Sequence, residues 1–541
     1  MPATIALAQE KEGNSSVDRL LDAIIANEAK VLKTLAERTP IVETYIQENL
    51  SSPDTRDHYF LGRMGLVSDI KYVSFVKRQS APAAVLETKT KPRFLFLKKT
   101  VATRGVPEHI EYLPQGFAQM AIVDAHAFDR QTYKFDFIRR EFLGDVRCLV
   151  FDVATIKPAD PGRFNGRIWV DDQTYFIARI NGTYNKKGDD ELYFHFDSWR
   201  VNPAPGVWIP AIIYIEDAVD SAAPVRFKAQ TRIWSYSSPT NNRLEELTAI
   251  LVDAGRNVND ANDSKDLSPI EAQRRWERDA ENNVLDRLER IGLISPHGEV
   301  EKVLDTVVNN LIVTNSLDVE ARCRVLLTTP VETFTIGHTI VVSRGLVDAL
   351  PDEASLALVL ATELSHIALG HPTRTEYAFN DRTMVEDEAV LERFRFARTP
   401  DEVSSAAAKT LAILANSPYK DKLANVGLFL RALKTKTSNL PNLIQATLGN
   451  DLTRYLDMPQ FQELLAKAPA LDDGKLEQIA ALPLGSRVRV EPWANQIYLM
   501  KAKPIALLSA REKMPFEVAP VSVYLTRGEA NRPPAAVTAR Q

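Results

Sequence analysis

The hydrophobic period of this chain switches from helical to alternating and back, so no single kind of layer can accommodate it. Leu20, Leu21, Ile24, Ile25, Val31, Leu32 and Leu35 recur at helical spacing behind the capping group Asn14, Ser15 and Ser16. Glu28 alone interrupts that stripe, and the spacing predicts a helix over 16–50. From about 58 to 236 the period becomes two. Tyr133, Phe135 and Phe137 alternate with Lys134 and Asp136, and 166–171 is followed after a turn by 175–181. The runs 193–199, 208–216 and 227–236 continue the series, as does a short one at Phe94, Phe96 and Leu97. Many short strands at hairpin spacing predict an antiparallel sheet or partly open barrel.

Ser268-Pro269 then opens a long helical stretch, proline being suited to the first helical position. Two strands, 323–327 and 334–343, interrupt the helices. At 541 residues the chain is too long for one ordinary core. The organisation is multidomain α+β, an antiparallel β half-barrel followed by a mostly helical domain. Residues 1–14 read as a residual export signal or a disordered start, 15–55 as a helix and 56–240 as the β domain. Residues 241–268 form a polar linker, 269–482 the helical domain, 483–528 a β-like extension and 529–541 a disordered tail.

Composition narrows the partners. A net charge of −5 without long runs of one sign gives no reason to expect nucleic acid as a partner. No stretch reaches the roughly 20 apolar residues of a transmembrane helix. The small residues Ala6 and Ala8 after a short apolar start point to a periplasmic or secreted protein, with a cytoplasmic one as the alternative. Cys148 and Cys323 read as two buried thiols, with a single long-range disulfide as the other reading.

The apolar stretch 354–369 ends at Gly370 and carries Thr362, Glu363 and His366. On a helix, two histidines four residues apart lie about 40° apart and reach one metal ion. The Glu after the first His then activates the metal-bound water, and a later helix brings a third ligand. Here Glu363 stands at the base and His366 at the second ligand, but Thr362 occupies the first. An isolated ExxH pair on a helix carries little information.

Its surroundings carry more. The stretch Glu332-Thr333-Phe334-Thr335-Ile336-Gly337-His338-Thr339-Ile340-Val341-Val342-Ser343-Arg344-Gly345-Leu346, then Pro351-Asp352-Glu353-Ala354 and Leu356 to His371, resembles metallopeptidase family forty-eight over roughly 285–420. The resemblance implies a zincin-like domain in which Phe334, Thr335, Ile336 and Gly337 form an edge strand that holds extended peptide. It also implies a zinc ion bound by His366 and a third ligand from an E-x-x-A-D motif. Two places fit that motif. Glu386-Asp387-Glu388-Ala389-Val390 keeps Glu386 and replaces the Asp by Val390. The helix near 402–408 sets Ala407 at the Asp and Val403 at the ligand, leaving Glu402 one residue, about 100°, off. His338 is a further candidate ligand. His371, five residues beyond His366 and about 140° around a continued helix, cannot easily complete the site.

Gly166-Arg167-Ile168-Trp169-Val170-Asp171, 178–184, Trp208-Ile209-Pro210 and 228–234 are similar in pattern to the lipoprotein-sorting carrier superfamily, which implies a half-barrel that wraps a helix and takes acyl chains. Alternatively, these aromatics fill an ordinary β core. Three functions follow. The first is a non-catalytic peptidase relative, without cofactor, that binds peptide or unfolded protein clients in the envelope. The second is an active zinc endopeptidase using Glu363, His366 and Glu386. The third is a lipid or lipoprotein carrier.

Overall fold

The computed structural model describes residues 3–49, 55–67, 76–79, 109–112, 117–157, 162–185, 194–217, 226–236, 269–371, 394–437, 440–450, 452–472, 484–500 and 525–528. The expected strand at Phe94, Phe96 and Leu97, the linker 241–268 and the tail 529–541 lie outside them.

Helix α1 (Ala3–Ala36) buries Leu21, Ile24, Val31 and Leu35. The predicted continuation to 50 does not hold. The helix stops at Ala36, before Pro40, and Ile41–Asn49 forms strand β1. Its alternation was invisible in hydrophobicity because both faces are covered. Val42 and Ile46 join the core under α1, whereas Ile41 and Tyr45 join the core of the helical half.

Ten more strands follow: β2 (Thr55–Arg63), β3 (Val76–Gln79), β4 (His109–Tyr112), β5 (Tyr133–Leu143), β6 (Val146–Thr155), β7 (Phe164–Asp171), β8 (Ile177–Tyr184), β9 (Phe194–Ala204), β10 (Val207–Asp217) and β11 (Arg226–Trp234). Except for the β3–β4 pair, they make one antiparallel sheet in the order β2-β1-β11-β10-β9-β8-β7-β6-β5. Pro210, which cannot donate to a ladder, sits at a register shift of β10. Phe117, Phe151, Phe164, Phe196 and Trp208 are fully buried in the core shared with α1. Glu28, the interruption of the α1 stripe, meets Arg200 there in a bidentate pair of 2.6 and 2.7 Å.

The second half contains helices α2 (Pro269–Arg290), α3 (Glu299–Thr314), α4 (Arg344–Ala349), α5 (Glu353–Ala368), α6 (Pro400–Ala415) and α7 (Leu423–Lys436). The short helices Pro441–Ile444, Thr453–Leu456 and Pro459–Lys467 follow. Its sheet has three strands, β12 (Arg322–Leu326), β13 (Thr333–Ile336) and β14 (Thr339–Ser343), in the order β12-β14-β13. The expected single strand 334–343 is therefore a hairpin. Gly337 turns it at φ +55°, where an added Cβ would strike Glu281.

The halves share buried polar contacts. Asp57 on β2 accepts hydrogen bonds from the backbone of Asn442 and Leu443, and Glu43 on β1 from the amide and hydroxyl of Thr329. Arg232 reaches Asp348 at 2.7 Å. In the extension, β15 (Val488–Glu491) pairs with β16 (Gln496–Leu499), and Leu525 accepts a hydrogen bond from Asp145 of the front half. Cys148 and Cys323 are both free and buried. No helix among the described residues is long and apolar enough to cross a membrane.

Candidate active site

Asp352 caps α5 by accepting from the Ser355 amide, and every residue from Ala354 to His366 is buried. Small residues let α6 pack closely on α5. Ala361 and Ser365 on one helix and Ala406, Ala407 and Thr410 on the other are all buried, with the Ser365 and Thr410 hydroxyls 3.1 Å apart. Thr362, at the position of a first metal ligand, turns its hydroxyl back to the Leu358 carbonyl at 2.9 Å. This is a self-satisfied helical threonine, not one aimed at a ligand.

His366 lies in a chain of hydrogen bonds. Tyr455 Oη is 2.6 Å from Nε2, and His371 Nδ1 is 2.7 Å from Nδ1. His371 Nε2 continues to the Ser405 hydroxyl at 3.2 Å. Burial holds the Tyr455 phenol well above its usual range, so it donates to His366 Nε2. The neutral tautomer of His366 with its hydrogen on Nδ1 then satisfies every member. Burial, with the Arg398 charge, lowers the His366 pKa to about 3. His371 is brought beside His366 because the helix does not continue to it. Gly370 at φ +67° ends the helix as a left-handed cap and folds His371 back onto His366.

Glu363 is fully buried. Oε1 accepts from the Asn450 amide at 3.1 Å, whereas Oε2 has no partner among the described residues. Desolvation raises its pKa to about 7 against the opposing Arg398 charge. Glu402 is spent on the capping box of α6, accepting from the Thr399 amide at 2.8 Å. Val403 and Ala407 are buried, so the third-ligand face of α6 is apolar. His338 pairs with Glu281 at 3.1 Å and takes no part. Glu386 and Val390 lie outside the described residues.

A zinc site needs three or four N, O or S donors converging in a tetrahedron with an oriented outer shell. Among the described residues no group of three His, Cys, Asp or Glu converges. The hydroxyl of Thr362 and Nε2 of His366 are both committed elsewhere. The described donors do not fit zinc. Tyr455 and Asn450, which hold His366 and Glu363, come from a segment without any motif and were not foreseen.

β13 is the outer strand of its sheet, and all four residues are buried. Asn450 donates its backbone N–H to the Thr333 carbonyl at 2.7 Å, in an antiparallel bridge. Arg398 reaches the Thr335 hydroxyl, and Phe334 stacks on Phe396 at 4.7 Å. The chain thus covers its own edge strand. The backbone amides of Thr447, Leu448 and Gly449 all converge on one oxygen of the buried Glu332, which pins the covering segment.

The two titrating groups give opposite pH dependences. The raised Glu363 value contributes stability below about pH 4.5 that is lost as pH rises through about 7. The lowered His366 value contributes stability above about pH 6.5 that is lost as pH falls toward about 3. Glu363→Gln removes the first term. Its stability relative to the parent should therefore rise between pH ~5 and ~8, by on the order of 2–3 kcal/mol. Urea unfolding at the two pH values checks this, and a flat difference would refute the assignment.

Residues 301–385 match the model of peptidase family M48. No curated protein matches the chain in sequence. The solved structure of a LolA superfamily protein from Nitrosomonas europaea aligns over 38% of this chain and 90% of its own, at 12% identity and a TM-score of 0.19. A DUF1329 family protein from Desulfovibrio piger aligns over 42% and 98%, at 13% identity and a TM-score of 0.20. Scores that low carry no functional argument. The chain carries an M48-peptidase-like domain beside a nine-stranded antiparallel sheet.

Proposed function

We propose that the chain is a non-catalytic relative of the zinc peptidases that binds peptide or unfolded protein clients in the cell envelope. One observation carries the reading: the groups at the two helix-borne ligand positions are spent within the protein, Thr362 on Leu358 and His366 on Tyr455. Glu363, the general base of an active site, instead receives Asn450, the residue that also bridges β13. The place where water would be activated is thereby tied to the place where a substrate strand would lie. A client adding to β13 must displace 447–450, after which the strand offers backbone pairing to an extended peptide.

Protein purified without chelators should hold far less than one zinc ion per chain by atomic emission, and should leave casein intact. Stoichiometric zinc, together with casein cleavage abolished by Glu363→Gln, would sink the proposal.

A further inference from the structure

We propose that the chain pairs with a second copy of itself through β5, extending the nine-stranded sheet across a two-fold axis. β5 is eleven residues long and ends the sheet, with β6 as its one neighbouring strand among the described residues. Phe137, Ile138 and Phe142 on it are 54%, 42% and 66% exposed. A long exposed edge with apolar side chains is a template for another strand.

The charges choose the occupant. Lys134, Asp136, Arg139 and Glu141 pair with Ala154, Asp152, Val150 and Cys148 of β6. Those four β6 residues alternate regularly, and directly opposed residues share a face, so the four charges lie on one face of the sheet. The register shift between Phe137 and Arg139 leaves Ile138 unpaired and brings this about, since without it Arg139 would face the other way. Along that face the signs run plus, minus, plus, minus.

Such a stripe is complementary to itself when antiparallel. With Phe137 opposite Phe137 of the second copy, Lys134 faces Glu141 of that copy and Asp136 faces its Arg139. The symmetry repeats both pairs. On the other face Phe135 meets Arg140, a cation–π partner. The neighbouring registers are excluded by like charges: a slide one way sets Asp136 against Glu141, and the other way Lys134 against Arg139. A strand guarded only against aggregation would repel its own copy; this one matches it in a single register.

Sedimentation velocity of the full chain tests the pairing. The parent should be a dimer that weakens with salt. Asp136→Arg or Arg139→Asp alone places like charges opposite each other twice and should raise Kd at least about tenfold. The double variant D136R/R139D restores opposite signs in the same register and should return to within a few-fold of the parent. A parent that stays monomeric at every loading concentration overturns the proposal. So does a dimer indifferent to the single reversals, or one that the double variant fails to restore.

Discussion

Arg200→Met should destabilise the front half by about 3–5 kcal/mol, because it strands the Glu28 carboxylate in an apolar core. Neither side chain is accessible to any meaningful degree, and both carboxylate oxygens of Glu28 are held by the one guanidinium. Arg200 also donates to the Ala121 carbonyl, so its removal loosens the 117–128 segment as well. Removing both charges is a different matter. Glu28→Leu with Arg200→Met replaces a desolvated ion pair with hydrocarbon of similar volume, and such exchanges are often neutral or stabilising. The double variant should therefore recover most of the loss. Four of the six tryptophans, Trp169, Trp199, Trp208 and Trp234, lie in the sheet, so guanidinium unfolding followed by fluorescence reports on this half. A single variant as stable as the parent would mean that water reaches Glu28.

The same pair shows what was legible in the sequence. Glu28 stood out as an anomaly in a helical stripe, but nothing linear connects it to a residue 172 positions away. The sheet and the α+β class could be read because most strands bury one face and keep period two. β1 could not, since one face packs under α1 and the other against the helical half, and burial on both faces erases alternation. In the site, Thr362, Glu363 and His366 were placed by helical spacing alone. The return of His371 was encoded in Gly370, a left-handed cap that local reading can recognise. Tyr455 and Asn450 were not legible. A tyrosine that donates to a histidine, or an asparagine that bridges a strand and a carboxylate, needs only position, and position comes from packing. The charge stripe of β5 was visible as alternation, yet its self-complementarity depends on a register shift that only the pairing with β6 reveals.

Glu332→Gln should loosen 447–450 and tighten client binding at least about tenfold, on the reading that β13 is the client strand. In the parent, one carboxylate oxygen accepts three backbone N–H groups in a fully buried place. Burial raises the Glu332 pKa while these three donors favour its ionised form; bonds to an ionised acceptor are worth roughly twice those to a neutral one, so the neutral amide weakens all three together wherever the carboxylate is ionised. The closed state then loses several kcal/mol at most, and the fraction of chains with an open edge rises. Apparent affinity scales with that fraction, so the gain needs no new contact. Gly449→Ala offers an independent route to the same end. Its methyl would lie 2.6 Å from the Thr333 carbonyl and 2.4 Å from the Phe334 ring, which pushes the segment off β13 without touching Glu332. Anisotropy of fluorescein-labelled, carboxymethylated casein measures the affinity, and hydrogen exchange at 447–450 measures the opening. If both variants speed exchange in that segment while casein binds no more tightly, clients do not use β13. Tighter binding by both, in proportion to the opening, would tie the cover of the edge strand directly to client capture.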